Sequence, residues 1–319
     1  MEVLVKAKKE KKLKSKKKKI TLKLLLEQKY LMIMSFPFVI WAIVFAYVPL
    51  WGWTMAFQDY KPNLTFLNQK WVGLKHFKVL FAEDTFREVM RNTLGMSLLN
   101  ITFGFAIPII FALLLNELKI IRFKKMVQTI SYLPHFVSWV IAASIITSML
   151  SPEGVVNAVL LKVGILDTPI SLLTHPKMFW SISTIAGIWK ETGWGAIIYL
   201  AAISGIDQSI YEAAKVDGAN RFDQMWHVTL PGIRPTIMVI LVLSIGNLIN
   251  IGFEQQYLLQ NPLVMSHSRT LDYYVLGYGI QMYRYSFGTA IGIFKSVVSV
   301  VLLLLANNFA KKIGEGRVM

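Results

Sequence analysis

Long uncharged segments alternate with short charged ones along most of the chain. Four segments contain no Asp, Glu, Lys or Arg: 31–57, 92–116, 126–152 and 235–253, with 27, 25, 27 and 19 residues. Two further apolar segments are interrupted, 178–206 by Lys190 and Glu191, and 285–310 by Lys295. About 20 apolar residues cross the hydrocarbon core of a bilayer as a helix. The pattern predicts six transmembrane helices and an all-α, polytopic membrane protein.

Composition supports the membrane interpretation. Charged residues are 16% of the chain and hydrophobic residues 55%, whereas soluble domains carry about 25% charged residues. So many apolar residues also exclude intrinsic disorder for most of the chain. The chain has no Cys, which excludes a disulfide framework, a thiolate metal site and a cysteine nucleophile.

Positive charge is concentrated at the N-terminus. Residues 1–30 contain twelve Lys and three Glu, so +9 of the net +16 lies there. Such a segment binds either nucleic acid or anionic lipid beside a membrane span. The apolar segment that follows directly favours lipid, and it is longer than the apolar region of a signal peptide. The predicted organisation is a Lys-rich tail (1–30), a transmembrane domain (31–310) and a C-terminal tail (311–319).

Six spans place both termini on one side of the membrane. Of the Lys and Arg residues outside the spans, 22 then fall on the side of the termini and 10 on the other. Positive residues are enriched on the cytoplasmic side. We therefore expect cytoplasmic N- and C-termini.

The segment 207–235, on the expected cytoplasmic side, reads as helix, turn, helix. Ser209 and Glu212 have the spacing of a capping box. Gly218 is suited to the left-handed conformation that ends a helix. Asn220 can cap a second helix that extends to about Val228. The alternative is an ordinary amphipathic surface helix.

The spacing of this segment resembles the EAA loop of binding-protein-dependent ABC importer permeases. The matching residues are Glu212-Ala213-Ala214, Gly218, Val228 and Leu230-Pro231. The family pattern has Ile where this chain has Val228.

Other motifs look like the polysaccharide and oligosaccharide branch of the family, which includes maltose-type sugar permeases. They are residues 56–60 (AFQDY), 71–75 (WVGLK), 131–136 (SYLPHF), 188–190 (IWK), 193–195 (GWG), 226–232 (WHVTLPG) and 253–256 (FEQQ). The resemblance covers about residues 31–308.

The resemblance implies a type I importer permease in a bacterial plasma membrane. Such a subunit forms half of a pathway with a second, commonly different, permease. Two cytoplasmic ATPases bind ATP and magnesium, and an extracytoplasmic protein delivers the solute. The residues implied in contact with the ATPase are Tyr211, Glu212, Ala213, Ala214, Asp217, Gly218, Ala219, Asn220, Leu230 and Pro231.

We expect no cofactor and no ATPase site in this chain. The phosphate-binding pattern Gly-x4-Gly-Lys-Ser/Thr does not occur. The five His residues are far apart and form no spaced metal site. ATP hydrolysis must therefore come from partner subunits.

Charged residues within spans are candidates for the transport pathway, because they are expensive in lipid and usually face the bundle interior. These are Lys190, Glu191 and Lys295. Glu191 and Lys295 are a possible ion pair between helices, whereas the adjacent Lys190 and Glu191 are expected to be poor partners. The alternative is a structural pair without substrate contact.

Amides and aromatic rings suit sugar hydroxyls and sugar C–H faces. Near the outer end of the fifth predicted span lie Asn247, Asn250, Glu254, Gln255 and Gln256, and on the fourth lie Trp194 and Tyr199. The alternative role is helix packing. Gly288, Gly292 and Ser296 recur every four residues, as in closely packed membrane helices, and are interpreted as a contact between subunits.

Three other functions remain open. The chain could be an ABC permease for a different solute or an ion-coupled secondary transporter, although no clear internal repeat supports the latter. A membrane-anchored nucleic-acid-binding protein would use the Lys-rich tail but leaves six spans unexplained. We expect contact with membrane lipid and none with nucleic acid.

Overall fold

The structure is a computed structural model that describes residues 28–312. Within these residues it is predominantly helical, which confirms the predicted all-α class. The predicted tails, 1–30 and 311–319, lie outside the described residues except for 28–30 and 311–312. Of the described residues, 28–54 belong to one compact unit and 55–312 to another.

The elements are numbered in chain order. The first eight α-helices are α1 (Lys29–Ala42), α2 (Lys75–Ala82), α3 (Asp84–Leu99), α4 (Phe105–Asn116), α5 (Ile121–Phe136), α6 (Trp139–Leu150), α7 (Val155–Lys162) and α8 (Phe179–Ser204). The next eight are α9 (Gln208–Val216), α10 (Arg221–Gln224), α11 (Leu230–Gly232), α12 (Arg234–Gly246), α13 (Glu254–Leu259), α14 (Met265–Ser268), α15 (Leu271–Tyr274) and α16 (Tyr285–Lys312).

Short elements of other kinds join these helices. The π-helical segments are Ile43–Tyr47, Asn100–Gly104, Met225–Thr229 and Val275–Gln281, and the 3-10 segments are Val48–Phe57, Phe66–Asn68, Leu172–Thr174 and Pro176–Met178. Strands β1 (Gln58–Asp59) and β2 (Lys70–Trp71) pair antiparallel, with Gln58 opposite Trp71.

Several helical segments are long and apolar enough to cross a membrane. Among the described residues four meet this criterion: Lys29–Phe57, Asp84–Asn116, Trp139–Lys162 and Tyr285–Lys312. Arg221–Gly232 and Arg234–Gly246, bent by 59°, form a fifth if taken together. The predicted fourth span corresponds to α8, whose 26 residues measure about 39 Å, but α8 is not among the segments that meet the criterion.

The predicted third span, 126–152, is not one helix. α5 ends at Phe136, Val137 and Ser138 have extended backbone, and α6 begins at Trp139. The Ser138 hydroxyl caps α6 by accepting a hydrogen bond from the Ile141 amide at 3.4 Å. The prediction was wrong because the absence of charge carries no information about a helix break inside an apolar segment. The fifth predicted span, 235–253, also ends early, at Gly246.

Helix α8 lies at the centre of the second unit. It packs against α3, α4 and α5, while α12 packs against α16. The contact with α5 is between backbones, since a Cβ added at Gly193 would lie 2.0 Å from the Ser131 carbonyl oxygen. Glycine is therefore required where these two helices meet.

Polar residues of α3 hold the irregular connection between α12 and α16. The Asn92 side chain is fully buried and donates to the carbonyl oxygens of Ser266 and Arg269 at 3.0 and 3.1 Å. The Thr93 hydroxyl accepts from the Leu271 amide at 3.0 Å. Ser97 donates to the Leu248 carbonyl. These bonds pair backbone groups that no regular helix satisfies.

The small-residue series on α16 has a role inside the chain. A Cβ added at Gly288 would lie 2.8 Å from the Cα of Gly279, so these two backbones are in contact. Gly292 has nothing within 4 Å of an added Cβ. The interpretation as a contact between subunits is thus wrong for Gly288, which is buried against Gly279 of the same chain. For Gly292 and Ser296 it stays a prediction.

The α5–α8 contact predicts that two Gly→Ala changes on α8 affect the thermal unfolding midpoint differently. Gly193→Ala should lower the thermal unfolding midpoint in detergent by several degrees, since overpacking costs about 1–3 kcal/mol. Gly187→Ala, whose Cβ would come no closer than 4.0 Å to other atoms, should leave the midpoint unchanged or raise it, because Ala favours helix. Equal midpoints for the two variants would contradict the close contact.

Candidate functional site

A cavity of about 900 Å³ opens between the helices of the second unit. Its wall includes seven of the ten residues predicted to line a pathway: Glu191, Trp194, Tyr199, Asn247, Asn250, Glu254 and Gln255. These residues come from α8, from the connection that follows α12 and from the start of α13. Lys190, Gln256 and Lys295 do not line it. Whether this cavity carries substrate stays a prediction.

Some side chains of the cavity wall are held by packing or hydrogen bonds within the protein, whereas others are accessible to a solute. Tyr199 is 2% exposed and belongs to a hydrophobic core. The Gln255 amide donates to the Ser183 carbonyl oxygen and hydroxyl at 2.5 and 3.0 Å. Asn250 donates to the Ser299 hydroxyl at 3.0 Å. Glu254 is exposed, so its carboxylate is accessible to a solute in the cavity.

The cavity wall is amphipathic. Asn100, Thr192 and Ser244 add polar groups, and Phe105 and Trp139 add aromatic surface. Within residues 28–312 the wall contains Glu191 and Glu254 but no Lys or Arg. Apolar and aromatic surface with a few placed polar groups is typical of small-molecule sites.

Lys190 and Glu191 join α8 to the end of α5. The Lys190 side chain is 6% exposed, and its ammonium donates to the His135 carbonyl oxygen at 2.7 Å. The Glu191 carboxylate lies 2.7 Å from His135 Nδ1 and 3.4 Å from Lys190 Nζ. The expectation that Lys190 and Glu191 are poor partners was therefore wrong. Their long side chains both bend toward the end of α5.

Lys295 pairs with Asp272, not with Glu191. Its ammonium contacts the Asp272 carboxylate, and the two side chains are 11% and 21% exposed. The second oxygen of Asp272 accepts from the Gly252 amide at 2.9 Å. The predicted Glu191–Lys295 pair was wrong because the partner of Lys295 belongs to α15, in a connection outside the predicted spans.

The helix-turn-helix segment begins differently from the prediction. Asp207, not Ser209, caps α9, and its carboxylate accepts from the Ser209 amide at 2.9 Å. This bond holds the pKa of the Asp207 carboxyl below its usual value. The predicted Ser209–Glu212 capping box was wrong because Asp207 provides an acceptor two residues earlier.

The turn itself is confirmed. Gly218 has φ of +84°, and the amides of Gly218 and Ala219 bond back to the Lys215 and Ala214 carbonyl oxygens at 3.1 and 2.9 Å. Asn220 then caps α10 in a reciprocal capping box with Asp223. Asp217 is the exposed residue just before the turn.

Helix α9 is held to the residues that lead into α12. The Tyr211 hydroxyl lies 2.9 Å from the Thr229 hydroxyl, and Thr229 is 2% exposed. Leu230 packs against the core that contains Tyr199, and Pro231 lies in α11. Glu212 and Ala213 are exposed, while Ala214 and Ala219 are half-buried. Thus α9 has one side fixed to the protein and one side accessible.

The sequence did not predict the ion-pair partners of Glu191 and Lys295, which are His135 and Asp272. His135 and Asp272 were not candidates, because each becomes a partner only through the folding of distant segments. Among residues 28–312, no group of three or more His, Cys, Asp or Glu is placed to hold a metal ion.

Comparison with known proteins decides the family. Residues 16–315 match the model of the binding-protein-dependent transport system inner membrane component family. The chain belongs to this family. The match begins within the Lys-rich tail, earlier than the resemblance at about residue 31 indicated.

Relatives are similar over almost the whole permease. The chain is 46% identical to the polygalacturonan/rhamnogalacturonan transport system permease protein YteP of Bacillus subtilis (strain 168), over 95% of this chain and 94% of the relative. It also matches a chain of a bacterial ABC transporter involved in import of the acidic polysaccharide alginate, with 40% identity, a TM-score of 0.83 and coverage of 91% and 98%.

A second crystal structure of the alginate transporter, in complex with alginate pentasaccharide-bound periplasmic protein, matches with the same identity and TM-score and covers 91% and 97% of the two chains. This permease therefore has the type I ABC importer permease fold and is a membrane subunit of an ABC importer. An ion-coupled secondary transporter is excluded.

The Asp272–Lys295 pair predicts non-additive mutations. Asp272→Asn or Lys295→Gln alone should lower the stability of the permease by about 3–5 kcal/mol, because each leaves one buried charge without a partner. The double variant should be milder than the sum of the two. The measurement is thermal unfolding in detergent as a double-mutant cycle.

The control is the predicted Glu191–Lys295 pair, which does not form in the structure. Glu191→Gln and Lys295→Gln contact different partners, so their effects should add within about 0.5 kcal/mol. Coupling between Glu191 and Lys295, with additivity for Asp272 and Lys295, would contradict the assigned pair.

Proposed function

We propose that this permease forms half of the pathway of an ATP-driven importer for an oligosaccharide or polysaccharide fragment. The observation that carries the proposal is the cavity, where Trp194, Tyr199, Asn247, Asn250 and Gln255 combine aromatic and amide groups. Those groups suit sugar rings and hydroxyls. The relatives named for polygalacturonan and alginate support a glycan substrate.

The second part of the proposal concerns energy coupling. Residues 207–235 would bind a cytoplasmic ATPase, with α9 and the Gly218 turn seated in its cleft. The exposed surface here includes apolar side chains unusual for a water-facing segment: Val216 is 88% exposed, Phe222 75% and Trp226 66%. Exposed apolar patches mark protein contacts, and an ATPase surface would cover this one.

The third part of the proposal concerns the remaining subunits. Two ATPases would bind ATP and magnesium, a second and different permease would complete the pathway, and an extracytoplasmic protein would deliver the glycan. The alginate-loaded periplasmic protein in the structure of the related transporter supports the last of these. The excess of Lys and Arg on the side of the termini supports cytoplasmic N- and C-termini in a bacterial plasma membrane.

The function is tested by uptake in cells. Deletion of this permease should abolish ATP-dependent uptake of a radiolabelled oligosaccharide from a panel prepared from galacturonan, alginate and arabinan. Uptake should return with the wild-type gene and should survive collapse of the proton gradient while ATP is maintained. Unchanged uptake of every glycan, with loss of a different solute, would contradict the glycan assignment.

Gly218 tests the coupling loop. A Cβ at this position meets nothing within 4 Å in this chain, but positive φ costs other residues about 1–2 kcal/mol. Gly218→Val should leave insertion and glycan delivery intact and should weaken ATPase co-purification or abolish stimulation of ATP hydrolysis by loaded binding protein. Glu212→Ala should act in the same direction with a smaller effect.

Gly164→Val is the matched control. Gly164 also has positive φ, +77°, and open space around an added Cβ, but it follows α7, outside the coupling loop. The Gly164→Val variant should carry the same backbone strain as Gly218→Val, but it should still bind the ATPase and keep stimulated ATP hydrolysis. If the two variants behave alike, the loop is an ordinary surface helix.

A further inference from the structure

We propose that Trp194 and Glu191 form a saccharide subsite on the cavity wall, and that His135 and Lys190 are positioning residues that hold it. The inference rests on the proposed function and extends it to particular side chains. It concerns the place where the end of α5 meets the middle of α8.

The aromatic part of the subsite is a stacked ring pair. The His135 imidazole and the Trp194 indole are parallel within 1°, with centroids 4.4 Å apart. The Phe136 ring contacts Trp194 at 83° and 5.7 Å. Trp194 is nevertheless 47% exposed and lines the cavity. The indole is therefore held in one orientation while much of its surface stays open.

The polar part is the Glu191 carboxylate. Glu191 and Trp194 are three residues apart on α8, so they lie on one face of the helix. One carboxylate oxygen lies 2.7 Å from His135 Nδ1 and the other 3.4 Å from Lys190 Nζ. A carboxylate has about four acceptor positions, so it retains capacity for two hydroxyl groups of a solute.

Lys190 fixes the framework beneath these groups. Its ammonium is almost completely buried, donates to the His135 carbonyl oxygen at 2.7 Å and lies 5.6 Å from the Trp139 ring centroid. A cation at the carbonyl end of a helix is favourable. Lys190 thus fixes the end of α5, from which the His135 ring projects toward Trp194, and it partly neutralises Glu191.

The Trp194 indole and the Glu191 carboxylate together suit a saccharide ligand. The indole can cover the C–H face of a pyranose ring, and the neighbouring carboxylate can accept hydrogen bonds from adjacent hydroxyls on its rim. A phosphate or a free carboxylate would be repelled by Glu191. The subsite therefore binds the C–H face and the hydroxyl rim of a sugar unit, and an acidic unit would direct its carboxylate away from Glu191.

The first experiment measures transport by the complete reconstituted transporter, with saturating binding protein and radiolabelled galacturonan and arabinan trisaccharides as probes. Trp194→Leu should lower maximal uptake about tenfold, and Trp194→Phe should retain more. His135→Phe keeps a ring for stacking but loses the donor to Glu191. Its maximal uptake, and that of Lys190→Met, should lie between the values of the wild type and Trp194→Leu.

The second experiment measures occupancy without transport. Because this chain has no Cys, Ile198→Cys provides a single thiol on the cavity wall, one helical turn from Trp194. Its labelling by a water-soluble maleimide should be slowed by the trisaccharide that the wild type imports. Protection should disappear with Trp194→Leu and require several-fold more trisaccharide with His135→Phe. Leu67→Cys, which is 84% exposed and outside the cavity, should label equally with and without sugar.

The outcomes separate the two proposals. Absence of protection at position 198 in an otherwise wild-type permease that imports a trisaccharide would overturn the subsite and leave the proposed function intact. The subsite would also be overturned, with the proposed function intact, if Trp194→Leu imported the trisaccharide at the wild-type rate and the sugar still protected position 198 from labelling. Import of neither trisaccharide by the wild type, with import of a different class of solute, would overturn the proposed function and the subsite together.

Discussion

The pairing of backbone polar groups wherever a helix is interrupted is the constraint on which this structure depends. In hydrocarbon no water can satisfy a free amide or carbonyl, so the protein must supply the partner. Lys190 does this for His135 at the end of α5. Asn92 and Ser97 do it for three carbonyl groups in the connection before α16. At these two interruptions, side chains of a neighbouring helix thus pair the free carbonyl groups.

These same interruptions create the cavity. Irregular backbone at membrane depth is tolerated where it is enclosed by protein or lines a cavity, and the wall includes residues that follow the end of α12. Asn250 and Gly252 are examples from this connection. Asp272, which holds the Gly252 amide and Lys295, connects the cavity to α16. The polar groups that stabilise the fold therefore also border the space proposed for the solute.

Sequence alone predicted the apolar segments, the all-α class, the Gly218 turn and the Asn220 cap. These depend on local chemistry: hydrocarbon thickness, positive φ and capping geometry. It did not predict the break at Val137, because the surrounding residues are uniformly uncharged. It also missed Asp272 as the partner of Lys295, since that contact depends on how α15 folds back on α16. The cavity residues were proposed from their chemistry, and only the fold brings them together.

The bond between Lys190 and the His135 carbonyl has a consequence for biogenesis. The two residues are 55 positions apart, so α5 is synthesised before α8. On its own, a Lys at the centre of α8 opposes insertion by about 2.5–3.5 kcal/mol, and the end of α5 lacks a donor. When α8 enters beside α5, both deficits are removed together. Stable placement of α8 in the membrane thus depends on α5, a helix that is synthesised before it.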